Sequence, residues 1–553
     1  MDTAPATEAA GGDSRAESRA FTRTDTVLAM LLAVGYAGFC GLYAQRRQWL
    51  NQFVETDYVF RFVAEAKRLM NGQALILDYH PPAYPAVLAM IKSLGVEDWL
   101  TVGLIVSVVS LGITALATYY TLHRVGGRAV ALGGTLAFAT CPLLLAFGIQ
   151  ATSDIFFLAV YSTTFAAFAH ALHRNTPVAW ALAGLSLGLT LLTRTNGIIL
   201  LPLLAMPLLS IFKWPASWIK PLRLTGFSLA ACLLPIAIWF AYAIPTGSPL
   251  KPVYTWSNLA LTFYSPTEDR VSYDNMVLMR QQFTGTLDVL THDPARIARV
   301  YFTDLTQLPG HLFFNLLPWP IVALALPGLF GLFRKGRQPL TAVLFIATFL
   351  HILLLNCKAW DPRFYLFVIP LYGAGAACSL VWLWRAPAVV PAWLRRAGVL
   401  AACLAALFAM NQARIGMWTH LPRWLNDEFA QSLDFARGVV PPGALLQSRK
   451  PHLGHYLDAD VSSFPPVSTA ADYERWLASI AEGRPTFVYI GHFEQNTQSY
   501  EALLADPGFP PPSLEQLAKG PTASGLTWTL YRFHPPAPPA SPTPSSKPPA
   551  SLP

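Results

Sequence analysis

Glu55-Thr56-Asp57-Tyr58 and, further along the same insert, Asp78-Tyr79-His80-Pro81-Pro82-Ala83-Tyr84-Pro85 bound the one place where this chain interrupts its apolar runs with an ordered polar segment. Between them Val54, Tyr58, Val59, Phe62, Val63, Ala66, Leu69 and Met70 recur at helical spacing, with Glu55, Asp57, Arg61, Glu65, Lys67 and Arg68 interleaved. That pattern predicts an amphipathic helix on a membrane surface, ended by Asn71-Gly72. A second helix opens at Pro81-Pro82, where proline fits a helix start, and runs to Gly95. Asp57 is thereby expected at the first turn of a helix held against the bilayer face.

Composition explains why a membrane enters the reading at all. Of 553 residues, 53% are hydrophobic and 13% charged, about half the charged share of an average soluble domain. The net charge of +8 is scattered between apolar runs and forms no stripe, so it reads as a topology signal and excludes a nucleic-acid partner. Cys40, Cys141, Cys232, Cys378 and Cys403 fall inside apolar runs and Cys357 at the end of one, with no CxxC pair, so neither a disulfide framework nor a cysteine metal site is supported.

Apolar windows of spanning length occur at 26–44, 99–122, 129–148, 154–172, 177–193, 197–212, 224–244, 311–333, 339–356, 363–384 and 397–412. The expected fold is therefore a polytopic α-helical membrane protein of about eleven transmembrane helices. The pair 177–193 and 197–212 shares the polar joint Thr193-Arg194-Thr195-Asn196-Gly197 and fits a partial hairpin equally well. Arginines and lysines of the short connections gather on the side of Arg15, Arg19 and Arg23, which predicts a cytoplasmic N-terminus. External loops then follow at 45–98 and 245–310, and residues 1–25 form a disordered cytoplasmic tail.

In the 245–310 loop, Tyr254, Trp256, Tyr264 and Tyr273 suit an interfacial aromatic belt better than a carbohydrate-stacking surface. From 413 to 535 the composition turns soluble. Strands at 443–446, 486–490 and 527–533 with a helix over 473–480 predict a small external C-terminal α/β domain. The proline-rich stretch 536–553 cannot build a core and is expected to be disordered.

Charges close to apolar spans are costly, so each is either paired or functional. Asp57, Asp154, Arg194 and the cluster Lys358-Ala359-Trp360-Asp361-Pro362-Arg363 meet that description, and the topology places all of them at the outer face. Asp57 reads as a carboxylate favoured by a helix dipole or as a general base or orienting acceptor for a hydroxyl. Asp154, after Thr152-Ser153, reads as a cap or as a second functional acid. Arg194 either snorkels or binds phosphate, and the forked guanidinium of Arg363 suits a phosphate better than Lys358 does. His80 precedes the proline pair and is in reach of Asp57 or Asp78. No HExxH pattern, Walker loop, Gly-rich nucleotide fingerprint or GxSxG elbow stands out, so no metal centre is assigned and a nucleotide-driven reaction is excluded.

The order of these motifs, with Gly184-Leu185-Ser186-Leu187-Gly188-Leu189-Thr190-Leu191-Leu192-Thr193-Arg194-Thr195-Asn196-Gly197 and Asp361-Pro362-Arg363-Phe364-Tyr365-Leu366-Phe367-Val368-Ile369-Pro370, resembles the GT-C membrane glycosyltransferases. The branch it resembles is the bacterial one related to dolichyl-phosphate-mannose protein mannosyltransferases and lipid A aminoarabinose transferases, over residues 26–412. The resemblance implies catalytic roles for Asp57 and Asp154 and lipid-phosphate contacts from Arg194 and Arg363. The acidic partner common in the first loop maps onto Glu55, with Thr56 between, so the tandem Asp-Glu is absent.

What the resemblance implies is transfer of a sugar from a polyprenyl-phosphate donor to a hydroxyl of a lipid, glycan or protein acceptor, at the outer face of the inner membrane. Asp57 takes or polarises the hydroxyl proton, while Arg194, Arg363 or Lys358 stabilise the departing phosphate. A cation beside Asp57 weakens it as a base, so the basic groups are expected on the donor side, away from that carboxylate. A divalent metal bridging Asp57 and the phosphate is left open, with no ligand signature in the sequence. The competing readings are a secondary transporter or flippase of a lipid-linked sugar, for which inverted repeats are expected and none is found, and a noncatalytic envelope scaffold.

Overall fold

The computed structural model describes residues 21–46, 57–78, 80–210, 218–265, 273–312, 316–335, 339–357, 361–385, 391–420, 423–462, 464–465, 467–495, 498–521 and 527–535. Glu55, Lys358, the tail 1–20 and the proline-rich stretch 536–553 lie outside them. The chain divides into two compact units, one running to Leu421 and the other from Pro422.

In the first unit each apolar run carries helix among the described residues, but not every helix spans by length. Among the described residues six are long and apolar enough to cross a membrane: Arg23–Gln45, Trp99–Gly126, Ser153–Arg174, Ile219–Thr246, Pro362–Trp384 and Ala392–Gln412. A seventh is counted if Arg128–Ala139 and Pro142–Gly148, bent by 62° at their junction, form one span. Pro177–Thr193, Thr195–Leu208, Trp319–Phe333 and Thr341–Leu355 are shorter, so the expected count of eleven full spans is not met on length. The segment Thr195–Ser210 is a 3-10 helix with Pro202 and Pro207 inside it. At about 2.0 Å rise per residue, its 16 residues still reach about 32 Å.

Lipid offers no hydrophobic drive between helices, so small residues set how closely they pack. A Cβ on Gly184 would collide with the Ser228 carbonyl, and one on Gly188 with that of Cys232, so the Pro177–Thr193 and Ile219–Thr246 helices meet backbone to backbone. Gly328 and Gly375 do the same for the Trp319–Lys335 and Ile369–Trp384 helices. At the other end of the bundle from the residues discussed below, Asp25 accepts from Arg128 Nε at 2.6 Å and lies 3.5 Å from His123 Nε2, tying three helix ends together.

The second unit carries a five-stranded sheet of β1 (Leu445–Gln447), β2 (Asp460–Ser462), β3 (Thr486–Ile490), β4 (Leu514–Pro521) and β5 (Thr527–Phe533), in the order β2-β1-β3-β5-β4. The first three are parallel, and β5 is antiparallel to both β3 and β4. Alternation sends Phe487, Tyr489, Trp528 and Leu530 to one face, packed with Phe429 and Leu433 of the Arg423–Arg437 helix. Val488, Ile490, Tyr531 and Phe533 go to the other, with Tyr473 and Leu477 of the Ala470–Ala481 helix. Each such side chain contributes roughly 1.5–3 kcal/mol by burial. Glu494, 2% exposed, accepts the amides of Arg449 at 2.7 Å and Gly491 at 2.9 Å, joining the loops after β1 and β3; burial pushes its carboxyl above the ordinary value.

Candidate functional site

Asp57 opens a helix whose first six residues, Tyr58–Val63, form a π-helical turn before the α-helix Ala64–Met70. One face of this element is apolar and fixed. Tyr58 is fully buried, donates its hydroxyl to the Trp99 carbonyl, and packs so tightly with Ala151 on Gly103 that no Cβ fits there. Phe62 lies edge-on to Tyr84 at 4.9 Å and 4.7 Å from the His80 ring. The wide first turn thus lets Asp57, Arg61 and Glu65 face together toward the chain returning from Asn71-Gly72.

That return segment meets them rung by rung. His80 Nε2 lies 3.6 Å from Asp57 Oδ2, Arg61 donates to Asp78, and Glu65 Oε1 accepts the amides of Ile76 at 3.0 Å and Leu77 at 3.3 Å. Burial pushes the Glu65 carboxyl above its ordinary range, and the two amide hydrogen bonds oppose the shift. Leu77 sits at φ +47°, the left-handed region that costs a side-chain-bearing residue roughly 1–3 kcal/mol. The other edge of the segment is held as well. Leu75 N donates to Ser248 Oγ at 2.9 Å, Val253 N to the Leu77 carbonyl at 3.0 Å, and Tyr254 N to that of Asp78. Arg280, stacked 4.1 Å over the Tyr254 ring, brings Nη1 to 3.9 Å from Asp78 Oδ2.

Asp154 and Arg194 form a second constellation. Thr152 caps the Ser153–Arg174 helix and its hydroxyl donates to Asp154 Oδ2 at 3.1 Å. Arg194, at the end of the Pro177–Thr193 helix, is ion-paired with Asp154, donates to Ser153 Oγ at 3.1 Å, and stands 5.6 Å over Phe157. Asn196 continues the network to His351 Nε2 at 3.0 Å, whose Nδ1 faces the Tyr161 hydroxyl at 3.3 Å. Ala151, and Phe156 at 5.6 Å from Tyr84, connect this constellation to the first at one end of the bundle.

The structure therefore brings Asp57 to His80 and Asp154 to Arg194. Arg363 pairs locally instead, with Nε 2.8 Å from Asp361 Oδ2 and its amide donating to Oδ1 at 3.0 Å. A cation that the sequence reading did not weigh stands beside Asp57, since Arg61 Nε is 3.6 Å from Asp57 Oδ1. One helical turn separates them and Arg61 is drawn there by Asp78. The aromatic belt of the 245–310 loop is corrected at two of its residues: Trp256 and Tyr264 are buried with Phe263 and Phe283 in a core built mainly from that loop, and Tyr254 packs against it partly buried. Sequence reading missed Arg61, Glu65, Asp78 and Arg280 as site residues; the spacing of four from Asp57 to Arg61 and on to Glu65 was the available signal. Among the described residues no group of three or more His, Cys, Asp or Glu is arranged to hold a metal ion.

Comparison with known proteins supports the resemblance read from the motifs. The family model of dolichyl-phosphate-mannose-protein mannosyltransferases matches residues 79–239, which include His80, Asp154 and Arg194. No curated protein sequence matches the chain. ArnT from Cupriavidus metallidurans in the apo state superposes with a TM-score of 0.57 at 15% identity, covering 91% of this chain and 97% of that one. ArnT bound to undecaprenyl phosphate gives 0.54 at 14%, over 92% and 98%. The archaeal oligosaccharyltransferase AglB from Archaeoglobus fulgidus, in complex with an inhibitory peptide and a dolichol-phosphate, gives 0.54 at 13%, over 92% and 74%. The fold is that of the GT-C membrane glycosyltransferases, and the chain is an integral membrane protein.

Proposed function

We propose that this protein is a membrane glycosyltransferase that moves a sugar from a polyprenyl-phosphate donor to a hydroxyl acceptor at the outer face of the inner membrane. The observation that carries the reading is Asp57, a carboxylate 28% exposed in its side chain, with His80 Nε2 and Arg61 Nε each 3.6 Å from it, on a fold shared with enzymes of this class. Its neighbours Arg61, Asp78, His80 and Arg280 supply both signs of charge within one ladder.

In the reaction the acceptor oxygen attacks the anomeric carbon, the bond from that carbon to the phosphate oxygen breaks, and the polyprenyl phosphate leaves with the electron pair. Asp57 takes the hydroxyl proton, a contribution of roughly two to four powers of ten in rate. His80 and Arg280 are the donors placed to meet the departing phosphate, each well-aimed donor being worth about 3 kcal/mol. Arg61 is committed to Asp78 and keeps the ladder in register. Asp154 acts as a positioning residue for Arg194, whose charge it balances, and Arg363 serves as a further contact for the lipid phosphate, with Lys358 as the second basic residue of that sequence cluster. Glu55 stands beside Asp57 in sequence as a further contact for the substrate. A cytoplasmic N-terminus, supported by the distribution of arginine and lysine, puts this end of the bundle and the second unit outside.

The test is sugar transfer from a panel of radiolabelled polyprenyl-phosphate sugars by the purified protein in lipid nanodiscs, with Asp57→Asn as the matched variant. Transfer by the wild type that vanishes in the variant supports the reading. Donor that binds without any transfer moves the assignment to a carrier of lipid-linked sugar, and absence of donor binding removes it altogether.

A further inference from the structure

We propose that Glu65 is a positioning residue for the Asp57 site: through the amides of Ile76 and Leu77 it sets the register in which Asp78 meets Arg61 and His80 meets Asp57. The inference rests on Asp57 being the reacting carboxylate. It concerns a residue well away from the reacting atoms.

The three rungs of the ladder are not equivalent. The side chains of Asp57, Arg61, Asp78 and His80 are each 21–28% exposed, so water competes for these two rungs and neither fixes a backbone. Glu65 is 8% exposed and bonds main-chain amides, so its rung determines where the backbone runs. Oε2 also reaches Ile76 N at 3.2 Å, so both carboxylate oxygens are engaged on the return segment.

The conformation at Leu77 shows what this hold accomplishes. Its positive φ redirects the chain between the two amides that Glu65 takes and the Asp78 side chain that Arg61 takes. From the opposite edge the Leu77 carbonyl accepts Val253 N, so the left-handed residue is clamped on both sides. Arg68 adds a bond from Nη1 to the Ala74 carbonyl at 3.1 Å, just before the clamp. Without Glu65, Leu77 relaxes to negative φ and the side chains of Asp78 and His80 turn away from the helix. Both oxygens of the buried carboxyl are turned to these amides.

The experiment uses the full-length protein in nanodiscs and compares wild type with Glu65→Ala, Glu65→Gln and Glu65→Asp. Two readouts are taken: amide hydrogen exchange of the peptide covering residues 74–80, and kcat/KM for sugar transfer. Glu65→Ala is expected to exchange at Ile76 and Leu77 at least about tenfold faster and to lose at least about tenfold in kcat/KM. Glu65→Gln keeps an acceptor oxygen at the same reach and is expected to retain at least about a third of wild-type kcat/KM. Glu65→Asp keeps the charge but is one methylene short, so it follows Ala in both readouts; it also carries the test if the Ala variant does not fold.

Wild-type exchange at residues 74–80 in Glu65→Ala or Glu65→Asp overturns the proposal. So does a folded Gln variant as inactive as Ala, because that outcome makes the charge itself the requirement. A wild type that transfers no sugar while the exchange pattern holds removes the catalytic reading and leaves the clamp standing. An active wild type with unchanged exchange in the variants does the reverse.

Discussion

Asp154→Asn separates a positioning role from a catalytic one. Asp154 is 3% exposed and the Arg194 side chain 11%, so the pair is buried, and removing one charge strands the other. Breaking such a pair costs about 3–5 kcal/mol. Here the lower end applies, because Arg194 keeps Ser153 Oγ at 3.1 Å and the face of Phe157. About 3 kcal/mol corresponds to roughly two powers of ten in the folding equilibrium. Reversible unfolding in mixed micelles titrated with SDS, run on wild type, Asp154→Asn, Arg194→Met and the double variant, isolates the pair. A coupling of about 2–3 kcal/mol is expected, with the double variant recovering most of the loss. Activity should be non-additive in the same way, both single variants falling about as far as the double, as for groups acting as one unit. A coupling below about 0.5 kcal/mol, the size found for exposed pairs, refutes the buried-pair reasoning.

Asp57→Asn is expected to lower initial transfer rates by about 10²–10⁴ while moving stability by less than about 1 kcal/mol, since its ion pairs are partly exposed; a rate within threefold of wild type, roughly 0.7 kcal/mol of barrier, excludes it as the base. Gly184→Leu forces the Pro177–Thr193 helix off the Ser228 carbonyl and should cost at least about 1–3 kcal/mol in thermal unfolding, whereas Gly226→Leu, with nothing within 4 Å, should be silent. Glu494 predicts the pH response of the second unit. Burial raises its carboxyl above the ordinary 4.5, so between 4.5 and the raised value the folded state holds a proton that the unfolded chain has released. Its contribution is full below 4.5 and is lost as pH rises through the raised value. Urea midpoints measured from about pH 4 to about pH 8 should therefore fall with pH, and the Glu494→Gln variant should lack that component of the slope.

What was legible in the sequence follows the range of the interactions involved. Hydropathy is a local sum, so among the described residues each apolar run carries helix, yet 129–148 is broken by a bend and length alone leaves Pro177–Thr193 and Thr341–Leu355 short of a span. Asp57 and His80 were visible because each sits beside a helix start, and their meeting needs only one loop. The Asp154–Arg194 pair joins different helix ends and depends on how the Ser153–Arg174 and Pro177–Thr193 helices pack, which no local pattern encodes. Arg280 reaches Asp78 from a loop without periodicity, and only the fold brings it there. In the second unit β2 escaped notice at three residues, and β4, Leu514–Pro521, because an edge strand with one face in water carries Glu515, Gln516 and Lys519 in place of an apolar run.

The π-helical turn at Tyr58–Val63 makes the site sensitive to a kind of change that substitution does not test. In a regular α-helix the eight steps from Asp57 to Glu65 overshoot two full turns by about 80°, which would swing one end of the acidic stripe off the return segment. The wider turn absorbs that excess and keeps Asp57, Arg61 and Glu65 in line. Winding Tyr58–Val63 as a regular α-helix at unchanged chain length would keep every named side chain and yet break the ladder, whereas deleting Phe60 leaves seven steps, about 700°, and lets a regular helix keep Asp57 and Glu65 in line. The winding of this turn is therefore as much a part of the site as the identity of Asp57.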